Sequence, residues 1–145
     1  MHRFRVIPQL LLLAVIVVGC GGPKYDESLQ MPNFNYGEVL DGHMRRAEQA
    51  MMSVRDLPSA EAAANQLHLI NQDLDDVVYN APRMSEDGQI ALGVIAADHL
   101  VEVKRLKANI DQSPVLADVF GEELETMMAY LQTMASGTFE EGPEG

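Results

Sequence analysis

The chain has 145 residues, the length of a single domain. Acidic residues outnumber basic ones 22 to 10, and a net charge of −12 excludes a nucleic-acid binder, which needs a basic face for the phosphate backbone. One cysteine excludes an internal disulfide and a multi-cysteine metal site, and the absence of Trp predicts a core that is mainly aliphatic.

Residues 1–19 have the make-up of an export signal: Arg3 and Arg5 come first, then an uncharged apolar run from Leu10 to Val18, then Gly19 and the lone Cys20. The run is too short for a permanent membrane helix, which takes about 20 residues. Val17-Val18-Gly19-Cys20 resembles the lipobox of bacterial lipoproteins, with Val17 where Leu is commonest and Val18 where Ala or Ser is commonest. The resemblance implies cleavage before Cys20, lipidation of that cysteine and attachment to a membrane through lipid. Because Gly21-Gly22 rather than Asp follows the cysteine, it further implies the periplasmic side of the outer membrane in a Gram-negative cell. The other reading of the segment is a plain secretory signal or N-terminal anchor with an incidental cysteine. A lone exposed thiol is a liability in an oxidising compartment, and lipidation removes it.

Gly21 to Asn33 is rich in Gly, Pro, Asn and charge and shows no apolar period. The sequence predicts a flexible tether over residues 20–35, holding the next segment on the order of 20 Å from the lipid.

Four helical stripes follow, each with apolar residues at alternating spacings of three and four. The first is Tyr36, Leu40, His43, Ala47, Ala50, Val54 and Leu57. The second is Ala60, Ala63, Leu67, Ile70, Leu74, Val77 and Ala81. Leu92, Ala96, His99, Val103, Leu106 and Ile110 make the third, and Ala117, Phe120, Leu124, Met127, Leu131 and Met134 the fourth. No segment has the period of two that a strand needs, so strands are not expected. Asn35 is placed to cap the first helix, with Phe34 and Val39 positioned as a hydrophobic staple. Ser59 starts the second helix and Ser85 the third, Ser113-Pro114 caps the fourth, and Gly137 stops it.

Short connections predict antiparallel neighbours and an all-α, up-down-up-down four-helix bundle over residues 36–136. Residues 137–145 carry three glutamates, three glycines and a proline, which predicts a disordered acidic tail.

Catalytic constellations are missing. There is no Glu-x-x-His for a di-iron site, no His-Glu-x-x-His, no Gly-x-Ser-x-Gly, no phosphate-binding glycine loop and no Cys-x-x-Cys-His. Asp73, Asp75 and Asp76, and Glu122, Glu123 and Glu125, scatter round the polar sides of their helices and read as solvated faces. His68 lies on a polar face, whereas His43 and His99 lie within apolar stripes. Register levels His99 with Ala50 and Met127, and His43 with Leu74, Leu92 and Met134. A histidine and a methionine in one layer of a four-helix bundle resemble the ligand set of the soluble b-type cytochromes. Soft thioethers with imidazole also suit copper. The sequence therefore predicts a non-enzymatic, lipid-anchored acidic bundle that has a binding or structural role, with an envelope protein or another envelope component as partner, and carries no cofactor. The alternative is a small haem- or copper-binding protein using His99 with Met127 or His43 with Met134.

Overall fold

A computed structural model describes residues 30–31 and 34–139; the expected signal, Cys20, most of the expected tether and the end of the expected acidic tail lie outside the described residues. Four helices follow one another: α1 (Tyr36–Ser53), α2 (Leu57–Asn80), α3 (Glu86–Ile110) and α4 (Pro114–Ser136). The protein is all-α, and its helices begin and end at the expected residues 36 and 136. Ahead of α1, two short strands, β1 (Gln30–Met31) and β2 (Phe34–Asn35), pair antiparallel, with Gln30 opposite Asn35 and Met31 opposite Phe34. The bundle itself holds no strand, as expected, and the pairing corrects only the expectation of a structureless tether up to residue 35. A pair of two-residue strands is held by backbone hydrogen bonds and needs no alternating pattern in its side chains.

Local chemistry explains where each helix starts. The Asn35 side chain accepts the Glu38 amide at 3.1 Å and caps α1. Val39 of the expected staple packs on the core, while the Phe34 side chain lies outside the described residues. α2 starts two residues ahead of Ser59, because Asp56 is its cap. The Asp56 carboxylate accepts the Ser59 amide at 3.0 Å, and the Ser59 hydroxyl accepts the Asp56 amide at 3.0 Å. The hydrogen bonds from Ser59 hold the Asp56 carboxyl below its usual range.

Ser85 accepts the Gly88 amide at 3.1 Å and starts α3 as expected. Ser113 differs, since its hydroxyl caps nothing and α4 is met only by its carbonyl, which accepts the Leu116 and Ala117 amides. Asn35 caps α1 from similar backbone angles with a side chain one bond longer. Gly137 ends α4 in the left-handed region at φ 65°. Beyond it, Phe139 is half-buried against the core, so the expected disordered stretch is placed at least that far.

The helices alternate in direction, but their order round the bundle is α1–α2–α4–α3. His68, Asn71 and Asp75 of α2 meet Glu123 and Tyr130 of α4 in rising order along both chains, which makes that pair parallel. α2 and α3 therefore face each other across the diagonal, correcting the expectation that all consecutive helices are neighbours. Residues 81–85, which include the 3-10 turn Ala81–Arg83, make the crossing. Five residues span up to about 17 Å. The diagonal of a square of helices 8–10 Å apart is roughly 11–14 Å, so the link is long enough.

Each helix buries one stripe. α2 buries Ala60, Ala63, Leu67, Ile70, Leu74 and Val77 as predicted, and α4 buries Phe120, Leu124, Met127, Leu131 and Met134. In α1 the buried methionines are Met44 and Met51, where the sequence stripe has His43 and Val54. α3 approaches α4 so closely that a Cβ on Gly93 would lie 2.9 Å from the Met134 carbonyl oxygen. Backbone cannot yield there as a side-chain tip can. Gly93→Ala is therefore expected to destabilise the protein by about 1–3 kcal/mol through overpacking, despite the higher helix propensity of alanine. Gly42 and Gly121 have nothing within 4 Å of an added Cβ, so Gly42→Ala and Gly121→Ala are expected to stabilise by about 0.5–1 kcal/mol. Urea unfolding of the three variants measures the difference in sign.

Candidate functional site

The polar groups singled out by sequence lie along the seams between helices. On the α1–α3 seam, His99 Nδ1 lies 2.7 Å from Glu48 Oε1 and His99 Nε2 lies 3.1 Å from Asp41 Oδ1. All three side chains are mostly buried, and Asp41 also holds Arg45 at 2.9 Å. The expected register is shifted: Asp41 and Glu48 bracket His99, where Ala50 was expected level with it. α1 has 18 residues and α3 has 25, and the two align at their C-terminal ends, where Met51 and Val54 share a groove with Leu106 and Ile110.

His43 on α1 reaches Asp73 of α2 at 3.3 Å, close to the expected level of Leu74. The same Nδ1 lies 2.6 Å from an Arg46 guanidinium nitrogen. Arg46 makes the shorter contact, and a guanidinium can only donate, so Nδ1 is an acceptor there. Burial lowers the His43 pKa, Asp73 opposes that shift and Arg46 adds to it. On the α2–α4 seam, His68 is exposed as expected, with Nδ1 2.8 Å from Glu123 and Nε2 3.1 Å from Gln72. Asn71 is buried and donates to the Glu123 carbonyl and carboxylate at 2.9 and 2.8 Å. Tyr130 donates to Asp75 at 3.1 Å. Glu123 is thus a seam residue, which corrects its reading as part of a solvated face, whereas Asp75 is exposed as expected and accepts one bond from the neighbouring helix.

Met127 and Met134 sit in the fully buried core, while His43 and His99 lie at its edge with carboxylate partners. That corrects the expectation that both histidines lie inside buried stripes. Using His99 with Met127, or His43 with Met134, for haem or copper would mean detaching these rings from Asp41, Glu48 or Asp73. Among the described residues no group of three or more His, Cys, Asp or Glu side chains is disposed to hold a metal ion. Cys20 lies outside the described residues.

The outward face of α3 carries what the polar seams do not explain. Ile90, Val94 and Val101 are 59, 58 and 71% exposed, and Ala97 between them is exposed too. Spaced at three and four, they form one stripe diametrically opposite Leu92, Ala96, Val103 and Leu106. Ile90, Val94 and Ala97 also line a groove of about 400 Å³ against Met134 to Gly137 of α4. This second stripe was missed because only the first α3 stripe entered the bundle pattern; its signal in the sequence is the same three-four spacing, half a turn away. Comparison with protein-family models, with curated proteins and with solved structures finds no match.

The lowered His43 pKa sets a pH dependence. The unfolded chain takes up the proton first, so stability is fully present above histidine's ordinary value near 6.5 and falls as the pH drops from there through the lowered folded value. His43→Gln is expected to flatten the stability change between pH 7.5 and 5.5, as read by urea unfolding at several pH values. An unchanged slope would contradict the assignment.

Proposed function

We propose that the protein is a lipid-anchored, acidic four-helix-bundle lipoprotein of the cell envelope that works by binding another protein surface and not by catalysis. The exposed stripe Ile90, Val94, Ala97 and Val101 carries the reading, because it gathers three of the large exposed apolar side chains on one helix face. The others, such as Leu69, Tyr79 and Val115, lie on other helices. Contiguous apolar surface with a polar rim is a mark of an interaction site. The histidines support it indirectly: both ring nitrogens of His99 and Nδ1 of His68 are engaged by carboxylates of a neighbouring helix, while Nε2 of His68 and Nδ1 of His43 are engaged within their own helices by Gln72 and Arg46.

The anchor in this reading is Cys20, the only cysteine, placed at the end of the apolar run. Among the described residues no helix is long and apolar enough to cross a membrane. One acyl chain binds membranes marginally, while two or more anchor stably. Cys20→Ser is expected to abolish lipid mass on the protein and release it from the lipid-dependent membrane fraction, measured by intact mass and by detergent phase partitioning. Equal lipid mass in the variant and the wild type would refute the anchor.

A further inference from the structure

The outward stripe of α3 lies between acidic and basic ends of the same helix. Glu86 and Asp87 stand at its N-terminal end, and Lys104 and Arg105 at its C-terminal end, all exposed. At 100° per residue Glu86 and Lys104 fall on one flank of the stripe, and Asp87 and Arg105 on the other. This arrangement is self-complementary only under reversal. When a second α3 is laid antiparallel about a two-fold axis midway between Val94 and Ala97, Ile90 comes level with the partner copy's Val101, and Val94 with its Ala97. The same operation brings Glu86 to within one residue of the level of the other copy's Lys104 on the same flank, and Asp87 likewise to Arg105. Two acidic–basic pairs and their symmetry mates then close over the apolar stripe. A parallel pairing would set like charges side by side.

We propose that the α3 face is a homodimer interface, in which two copies pair antiparallel through Ile90, Val94, Ala97 and Val101. The inference rests on the binding-protein reading above and names its partner as a second copy of this chain. Charge supports that choice: the chain as a whole is strongly acidic, yet the two ends of this face set Glu86 and Asp87 against Lys104 and Arg105, with exposed Asp98 midway on the Asp87 flank as the one further charge. Among the described residues Glu86, Asp87 and Lys104 form no ion pair within the chain. Arg105 is held by Glu102 on the same helix and remains exposed. One helix face is smaller than the roughly 1,200 Å² of a stable complex, so the pairing is weak in free solution. Anchoring both copies to one membrane raises their effective concentration and makes such an interface sufficient.

Zero-length carbodiimide coupling of the full chain in its native membrane tests the proposal. The reagent joins a carboxylate directly to an amine. Within one copy Glu86 and Lys104 are about 27 Å apart along α3, so an amide between them can form only between two copies. Wild type is expected to give a covalent dimer containing the Glu86–Lys104 link. Val94→Asp, on the outer face where it leaves the bundle core intact, is expected to lower the yield at least about tenfold by placing carboxylates against apolar side chains. Lys104→Arg, which keeps the charge but not the reactive amine, should lose the 86–104 link while the dimer remains visible by a longer, thiol-independent cross-linker. Reversing all four charges together, with Glu86→Lys, Asp87→Lys, Lys104→Glu and Arg105→Glu, should keep the link between positions 86 and 104, because carboxylate and amine merely exchange places. Absence of that link in wild type, or its persistence in Val94→Asp, would overturn the proposal. A Val94-dependent link from Lys104 to a different envelope protein would overturn self-pairing and leave the binding-protein reading standing. Loss of every Val94-dependent link would overturn both.

Discussion

The close approach of Gly93 to the Met134 carbonyl fixes the rotation of α3, and that rotation decides what the molecule shows to its surroundings. α3 carries apolar residues on two opposite faces, and a bundle of four helices can bury only one of them. With Gly93 against α4 and His99 against α1, the Leu92–Ala96–Val103 face turns inward and the Ile90–Val94–Val101 face is left outside. A glycine at the contact is what allows the two backbones to come so near. The choice between the faces is thus made by sterics, since both are similar in hydrophobicity.

Polar side chains set which helix lies beside which. Among the described residues the core is mainly Leu, Ala and Met with one fully buried Phe, Phe120, and such a core packs well but discriminates poorly between alternative neighbours. His99 with Asp41 and Glu48 ties α1 to α3, Asn71 with Glu123 ties α2 to α4, and His43 sets α1 beside Asp73 of α2. These bonds sit at the edge of the core, where partial hydration keeps the cost of burying charge low. They favour the order α1–α2–α4–α3 over the simpler ring in which consecutive helices touch. Loss of one such contact leaves the partner group half-buried and unpaired, which penalises the alternative arrangements as well as rewarding the native one.

The helices themselves were legible because each has one strong apolar period and a recognisable start and stop. The α2 stripe came out in full and the α4 stripe in all but its first residue, Ala117, which is half-buried, and Asn35, Ser85 and Gly137 act as their positions in the sequence suggest. Each misassignment has its own physical cause. Histidine is amphipathic, so His43 and His99 fit an apolar period while belonging at a polar seam. The diagonal crossing of α2 and α3 is invisible to periodicity, because a five-residue link serves a neighbour and a diagonal equally well. Register between α1 and α3 was misplaced because the helices differ in length by nearly two turns, and nothing in the sequence says which ends align. The outward stripe of α3 was present in the sequence, yet a second apolar face has no place in a monomeric bundle and acquires meaning only once the first is seen to be buried.

The orientation of α3 is the point on which the account turns, and thiol accessibility measures it directly. In a Cys20→Ser background, Val94→Cys and Val103→Cys place single thiols on opposite faces of the same helix, and their reaction with a maleimide at high dilution reports the exposure of each. The account predicts that the thiol at 94 reacts at the rate of an unfolded control while the thiol at 103 is protected until the protein unfolds. Protection at 94 with free reaction at 103 would mean that α3 is rotated by half a turn, and the account would be wrong.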